Sequence, residues 1–386
     1  MKRLFSDFAF VFQGIQIKKM KKLNILFITR NFLPQVGGLE NFSFNLFHSL
    51  FKMHKLSLIK WSGSKKILPA VFIYFLIKSY LILLLKKIDL VYLTDGVLSL
   101  LIPFLKIFKK PVAVTIHGLD ITFNNYFYQL LVPYFLNKAD KIICVSRATK
   151  KECLKRGVFP QKIEVIPNGI KDEFFLKEDK KNLKERFEER FNVKIKDKKI
   201  ILSVGRLIER KGIHWFIREV LPLILKKYSN FIYLVVGEGK LKRDVEKIAE
   251  EKDLKEYVVL LGRIKKENLK LIYNIADVFV MPNIKVKGDL EGFGIVLLEA
   301  ASCNLSIVAS DIEGIKDVLL EGRLGKLVEC YDSKGFCDEI LKILKDKSFT
   351  EEDLRELVKE NFSWQEISRR YSEVFYCLIN ESSGSN

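Results

Sequence analysis

"EGFGIVLLEA", residues 291–300, sets two carboxylates, Glu291 and Glu299, around a Gly-Phe-Gly. A uniform helix is a poor reading of the stretch, because each glycine costs about 1 kcal/mol against alanine in a helix interior. Gly292 and Gly294 therefore mark a loop. The run Ile295 to Ala301, apolar apart from Glu299, reads as a buried helix starting near Gly294. Such a start exposes the N–H groups of Phe293, Gly294 and Ile295 at a helix N-terminus, a natural place for a phosphate. Glu291 then sits in the loop and Glu299 about a turn further on, both able to accept hydrogen bonds from the hydroxyls of a molecule whose phosphate lies between them. Taken alone, the stretch reads equally as a structural loop–helix junction with a surface Glu291 and a salt-bridged Glu299.

Outward from this junction, short apolar runs alternate with longer helical patterns. Strand-like runs fall at 23–29, 89–94, 111–118, 141–146 and 162–169, and a second series at 200–207, 231–239, 257–263, 277–283 and 305–310. The charged segment 171–199 separates the two series. This alternation predicts parallel α/β architecture in two domains, with ligands at the carboxyl ends of the strands. The expected boundaries are 20–180 and 181–362, followed by an aromatic-rich amphipathic helix and tail over 363–386. Residues 1–19 read as a dispensable extension or a misassigned start, since Met20 opens "MKKLNILFITRNF" in the manner of a cytosolic α/β protein. The extension lacks the unbroken apolar run and small-residue site of a signal peptide.

Charge is unevenly spread over the 386 residues. The first 110 hold eighteen lysines and arginines against four acidic residues, a net of +14 within a whole-chain +19. That bias suggests an anionic partner (nucleic acid, acidic lipid or a phosphorylated substrate), the alternative being a lysine-rich composition with no partner. No recognisable nucleic-acid module accompanies it. The six cysteines show no CxxC and no zinc-like spacing, and read as reduced thiols of a cytosolic protein. "ILPAVFIYFLIKSYLILLL" (67–85) approaches the length of a membrane span, but Lys78 near its middle argues against one. It is expected to be a buried helix, with a helix dipping into a membrane interface as the alternative; Lys65, Lys66, Lys86, Lys87, Lys106, Lys109 and Lys110 would suit anionic headgroups.

Other motifs sit at strand ends. Gly37 and Gly38 in "PQVGGLE" follow the first strand, where backbone can approach a ligand closely. His117 and Asp120 of "HGLD" face the expected crevice, although a single histidine is often structural. Arg206 and Lys211 of "VGRLIERKG" either converge on a diphosphate or form a solvated turn.

In combination, "PxxGGxE", "HGxD", "VIPNG", "VGRLxxRKG", "GEG", "ADVFVMPN" and the Glu-x7-Glu pair resemble glycosyltransferase family 4, the retaining, nucleotide-sugar-dependent transferases of the GT-B fold. The resemblance runs from about residue 23 to 379. "MPNIKVKGDLEGFGIVLLEA" looks like the lipid- and inositol-directed mannosyltransferase branch. The resemblance implies two Rossmann-like domains facing a cleft, the C-terminal helix packing back across them, and transfer of a hexose from a nucleotide diphosphate sugar. By the same resemblance Glu299 holds the ribose hydroxyls, Glu291 contacts the transferred sugar, and the amides of Phe293, Gly294 and Ile295 face sugar and phosphate. Arg206 and Lys211 match the pair that neutralises the diphosphate, and Gly38 the glycine that approaches it across the cleft. His117 would orient the sugar, with Gly37 and Asp120 toward the acceptor.

The resemblance further implies no catalytic metal and no cofactor. The +14 bias and the apolar 67–85 helix suggest an acceptor that is lipid-linked or anionic and peripheral contact with an anionic membrane at its cytoplasmic face, and no nucleic-acid partner is expected. A soluble sugar or sugar phosphate is the alternative acceptor, and a non-catalytic scaffold the alternative role. Lys171 stands where aspartate is common, Asp317 where glutamate is, and Glu313-Gly314 where Gly-Gly is.

Overall fold

The computed structural model describes residues 21–34, 37–61, 63, 67–345 and 353–383. Residues 1–19, expected to be an extension, lie outside them.

The apolar runs form two six-stranded sheets. The first comprises β1 (Asn24–Thr29), β2 (Lys55–Lys60), β3 (Leu90–Leu93), β4 (Val112–Ile116), β5 (Lys141–Cys144) and β6 (Ile163–Val165), in the order β2-β1-β3-β4-β5-β6. The second comprises β7 (Lys199–Val204), β8 (Phe231–Val236), β9 (Val258–Gly262), β10 (Val278–Met281), β11 (Ile307–Ser310) and β12 (Lys326–Val328), in the order β12-β11-β10-β7-β8-β9. Every pairing is parallel. Helices cover both faces, which is why the central strands read as continuous apolar runs and not as alternating ones. In β1, Leu26 and Ile28 enter one core while Ile25 and Phe27 enter the core on the opposite face. Two further cores flank the second sheet in the same way.

Strand order reverses beside β1 in the first sheet and beside β7 in the second. At such switch points the loops leaving neighbouring strands diverge and open a crevice at the carboxyl edge. The residues after β1 and β3 therefore line one crevice, and those after β7 and β10 the other.

The chain crosses between domains near its end. Helix Leu354–Phe362 contributes Leu357, Val358 and Phe362 to a core of the second domain, and helix Trp364–Ser383 then packs Ile367, Tyr371 and Phe375 against the first sheet. Buried polar contacts fix that return: His54 Nε2 lies 2.9 Å from Ser372 Oγ, and the Tyr371 hydroxyl 3.0 Å from Thr115 Oγ1.

One sequence expectation needs correction. Helix Leu68–Leu85 is not buried all round. Val71, Phe75 and Ser79, at a spacing of four, face inward, whereas Ile73, Ile77, Leu81 and Leu84 are exposed on the other side. Its uniform hydropathy concealed which face would meet the core. No helix among the described residues is long and apolar enough to cross a membrane.

Candidate active site

Strand β10 ends at Met281, and the chain runs through Pro282 and Asn283 into the loop that carries Glu291. Glu291 is buried among cations. Lys211 Nζ donates to its Oε2 at 2.6 Å, Asn283 Nδ2 donates at 2.8 Å, and the Arg210 guanidinium donates to the same oxygen. Arg210 also holds Asp289 at 2.9 Å. Burial alone would push the Glu291 carboxyl up, but Lys211 and Arg210 outweigh it and hold the group below the ordinary glutamate range. Glu291 is thus a fixed anion near neutral pH, a hydrogen-bond acceptor for hydroxyls and not a proton donor. Burial lowers the Lys211 ammonium, with Glu291 opposing the shift.

Arg206, just past β7, is exposed, yet close enough to Lys211 to depress its proton affinity. Three cations (Arg206, Arg210 and Lys211) thus stand against two carboxylates. Arg210 went unnoticed in the sequence, where it is one of three basic residues between 206 and 211; only its burial, produced by the 3₁₀ turn Glu209–Lys211, distinguishes it.

After Phe293 the chain turns into helix Ile295–Ala301, close to the expected start. Gly294 has φ +80°, a left-handed conformation that a side chain would strain. Phe293 is buried against Phe362, with ring centroids 6.3 Å apart. Among the described residues, no acceptor takes the N–H groups of Phe293, Gly294 or Ile295.

Glu299, on the same helix, stands apart from the Glu291 cluster and accepts from the Tyr273 hydroxyl at 2.8 Å. Burial raises its carboxyl to about 7, and the hydroxyl only partly offsets that. Tyr273, on helix Lys266–Ile275, was also missed; a tyrosine inside an amphipathic helix gives no sign of such a contact.

The first domain supplies the facing wall. His117 follows β4, and its Nε2 lies 3.0 Å from the Thr94 carbonyl. A carbonyl only accepts, so Nε2 carries the proton and Nδ1 is free to accept. The imidazole packs edge-on against Phe42 at 4.5 Å, on helix Gly38–Phe51, whose N-terminus is formed by Gly37 and Gly38. Asp120 does not open toward the crevice as expected. It is buried, and its Oδ1 accepts from the N–H groups of His117 (2.8 Å) and Gly118 (2.9 Å), while Oδ2 accepts from Gly96 (3.0 Å). Three backbone donors engage both oxygens of this carboxylate, so Asp120 clamps the "HGLD" turn that presents His117. Burial pushes its carboxyl up, with His117 and the amides opposing.

The two walls meet backbone to backbone. A Cβ on Gly292 would overlap the His117 carbonyl oxygen, and a Cβ on Gly118 would lie 3.2 Å from Gly292 Cα. Beside this contact, the Arg147 amide donates to Asp317 at 2.5 Å and its guanidinium pairs with Asp317 and Glu321 across the cleft. A cavity of about 410 Å³ adjoins Glu291 and Arg210, lined from one domain by Thr122 and Arg156 and from the other by Lys285 and Asp289.

The family described as Glycosyl transferases group 1 matches residues 185–363, and Glycosyltransferase Family 4 matches residues 37–174. The GPI3 subunit of phosphatidylinositol N-acetylglucosaminyltransferase from Saccharomyces cerevisiae is 26% identical, over 66% of this chain and 55% of its own length. A GDP-mannose-dependent alpha-(1-6)-phosphatidylinositol monomannoside mannosyltransferase from Mycolicibacterium smegmatis is 29% identical, over 54% of each chain. The chain thus spans about half the length of these curated relatives. Sucrose-phosphate synthase from Thermosynechococcus elongatus shares the fold with TM-score 0.72 at 19% identity, covering 93% of this chain and 100% of that one. Two parallel sheets meeting at their carboxyl edges, the motifs in order around the crevice and both family matches lead to one conclusion: the chain belongs to glycosyltransferase family 4, with the GT-B fold.

Proposed function

We propose that this chain is a retaining, metal-independent hexosyltransferase that draws on a nucleoside diphosphate sugar and glycosylates a hydroxyl of a lipid-linked or anionic acceptor at the cytoplasmic face of a membrane. The observation that carries the reading is Glu291, an ionised carboxylate buried between Arg210 and Lys211 on the loop that abuts His117. The relatives' names supply the acceptor class, phosphatidylinositol and its mannoside.

In this reading Glu299 accepts from the ribose hydroxyls, and Glu291 and His117 hold the sugar from opposite walls. Arg206, Lys211 and the N–H groups of Phe293, Gly294 and Ile295 meet the diphosphate, with Gly38 approaching it from the first domain and Gly37 beside it on the acceptor side. Charge develops on the departing phosphate, and cations with aligned amides stabilise it there, the part a divalent metal plays in other transferases. The acceptor oxygen bonds to the anomeric carbon on the face from which the phosphate oxygen leaves. The acceptor's proton passes to that phosphate oxygen, and the configuration is retained.

The test supplies GDP-mannose, and separately UDP-sugars, with phosphatidylinositol vesicles in EDTA. Nucleoside diphosphate should be released, and NMR of the product should show the donor's anomeric configuration. An inverted product, or turnover only with added divalent cation, would refute the corresponding part of the proposal.

Glu299 sets a pH dependence. Its folded-state carboxyl titrates at about 7, above the ordinary 4.5, so between those values the folded protein holds a proton that the unfolded chain has released. This contribution to stability is full below the ordinary value, declines as pH rises and is lost above about 7. Hydroxyl donors favour the ionised form, so nucleotide binding should tighten roughly tenfold from pH 6 to pH 8, as the ionised fraction rises from about a tenth to about nine tenths. Titration calorimetry would show this slope for the wild type and a flat profile for Glu299→Gln.

Gly292 sets a steric limit. Gly292→Ala places a methyl group against the His117 carbonyl, an obstacle that lies across the cleft and not within either domain. Separating the two walls by about an ångström should lower turnover by up to about a hundredfold. The melting midpoint should move little, and small-angle scattering should report a wider molecule.

A further inference from the structure

Much of the exposed apolar surface of the first domain lies on three helices packed in a row. Helix Leu68–Leu85 packs on the short helix Ile102–Leu105, which in turn packs on helix Tyr126–Leu136. The Tyr80 hydroxyl donates to the Phe104 carbonyl at 3.2 Å, and its ring meets Phe108 edge-on at 4.9 Å, which locks the first two segments together. Their inner faces share one core with β1, β3 and β4. Their outer faces carry Ile73, Ile77 and Leu84 on the first helix, Phe104 and Ile107 on the middle segment, and Phe127, Leu130 and Tyr134 on the last, all exposed. Leu119 and Phe123, also exposed, continue this surface from the last helix to the turn that holds His117.

The charge on this layer has one sign. Residues 67–87, 102–110 and 123–138 include seven lysines (78, 86, 87, 106, 109, 110 and 138) and no aspartate or glutamate. Lys106 is paired with Asp140, whereas Lys78, Lys86, Lys87 and Lys109 are exposed. Soluble surfaces ordinarily intersperse charges of both signs and do not gather apolar side chains into so wide a patch. An apolar face rimmed by lysines and bearing tyrosines matches the boundary between acyl chains and anionic headgroups.

We propose that the outer face of these three helices seats the protein on an anionic bilayer, with Leu119 and Phe123 bringing the lipid surface to the mouth of the cleft. The inference rests on the lipid-acceptor reading above and adds to it the surface through which that lipid is reached. Charge decides the occupant: a second copy would set lysine rim against lysine rim, whereas an anionic bilayer complements it.

The test is flotation of the full chain with vesicles of phosphatidylcholine alone and of phosphatidylcholine with phosphatidylglycerol. Two variants are compared, Ile77→Asp with Phe127→Asp, and Lys78→Glu with Lys109→Glu. All four positions are solvent-exposed, so stabilisation by nucleoside diphosphate serves as the check on folding. The wild type should float with the anionic vesicles only, and each variant should lose at least tenfold in bound fraction while keeping the nucleotide effect. Variants that float like the wild type would overturn the proposal. A wild-type dimer in sedimentation that the aspartate variant dissolves, without vesicle binding, would reassign the face to self-association. Vesicle binding without any nucleotide effect would instead sink the transfer reading and leave this face standing.

Discussion

Glu291→Ala should reduce transfer by at least about a thousandfold, the largest loss expected at any single position. Its carboxylate is the shared partner of Arg210, Lys211 and Asn283 and is largely withdrawn from water. Removing it leaves two buried cations with one counter-ion fewer, and breaking a buried pair in this way costs roughly 3–5 kcal/mol. Lys211 should then drift from the diphosphate position or shed its proton, since burial already lowers its proton affinity. Two losses combine, the sugar contact and the alignment of the cations, and a lost transition-state donor alone is worth about 10²–10³ in rate. Glu291→Gln separates the two: it keeps the shape and some of the hydrogen bonding, and should recover most of the melting midpoint but little of the turnover. Nucleoside diphosphate release and calorimetric melting read the two effects independently.

His117→Ala should divide its effect differently. The imidazole is fixed by the Thr94 carbonyl on one nitrogen and by its edge-on contact with Phe42, and the turn beneath it is clamped by Asp120. None of these partners belongs to the cations, the amides or Glu299. Donor affinity should therefore stay within about threefold of wild type, while kcat falls by about 10²–10³ through loss of sugar positioning. Normal turnover in this variant would remove His117 from the mechanism. Equal losses in binding and kcat would make it a donor-binding residue.

What the sequence disclosed and what it withheld follow from the range of each interaction. The loop-to-helix break at Gly294 was legible because glycine cost and helix periodicity are local. The alternation of buried strands and helices was legible for the same reason. The partners of Glu291 were not, because Arg210 reaches it from about eighty residues away and only the reversal of strand order beside β7 makes them neighbours. Asp120 was misjudged toward the acceptor because "HGLD" does not reveal that the Gly96 amide, on another strand's loop, completes its coordination. Helix Leu68–Leu85 was misjudged because a helix apolar on every side carries no phase from which to infer its buried face.

In the proposed mechanism the second domain binds a nucleoside diphosphate through Glu299 and the cations after β7. The most direct measurement is the melting midpoint of the purified protein with UDP, GDP or ADP, repeated on Glu299→Ala. At a hundred times its dissociation constant a ligand adds about 2.7 kcal/mol, a readily measured shift. One diphosphate should raise the wild-type midpoint and fail to raise that of the variant, which would also name the base. A folded wild-type protein that none of the three stabilises would contradict the account.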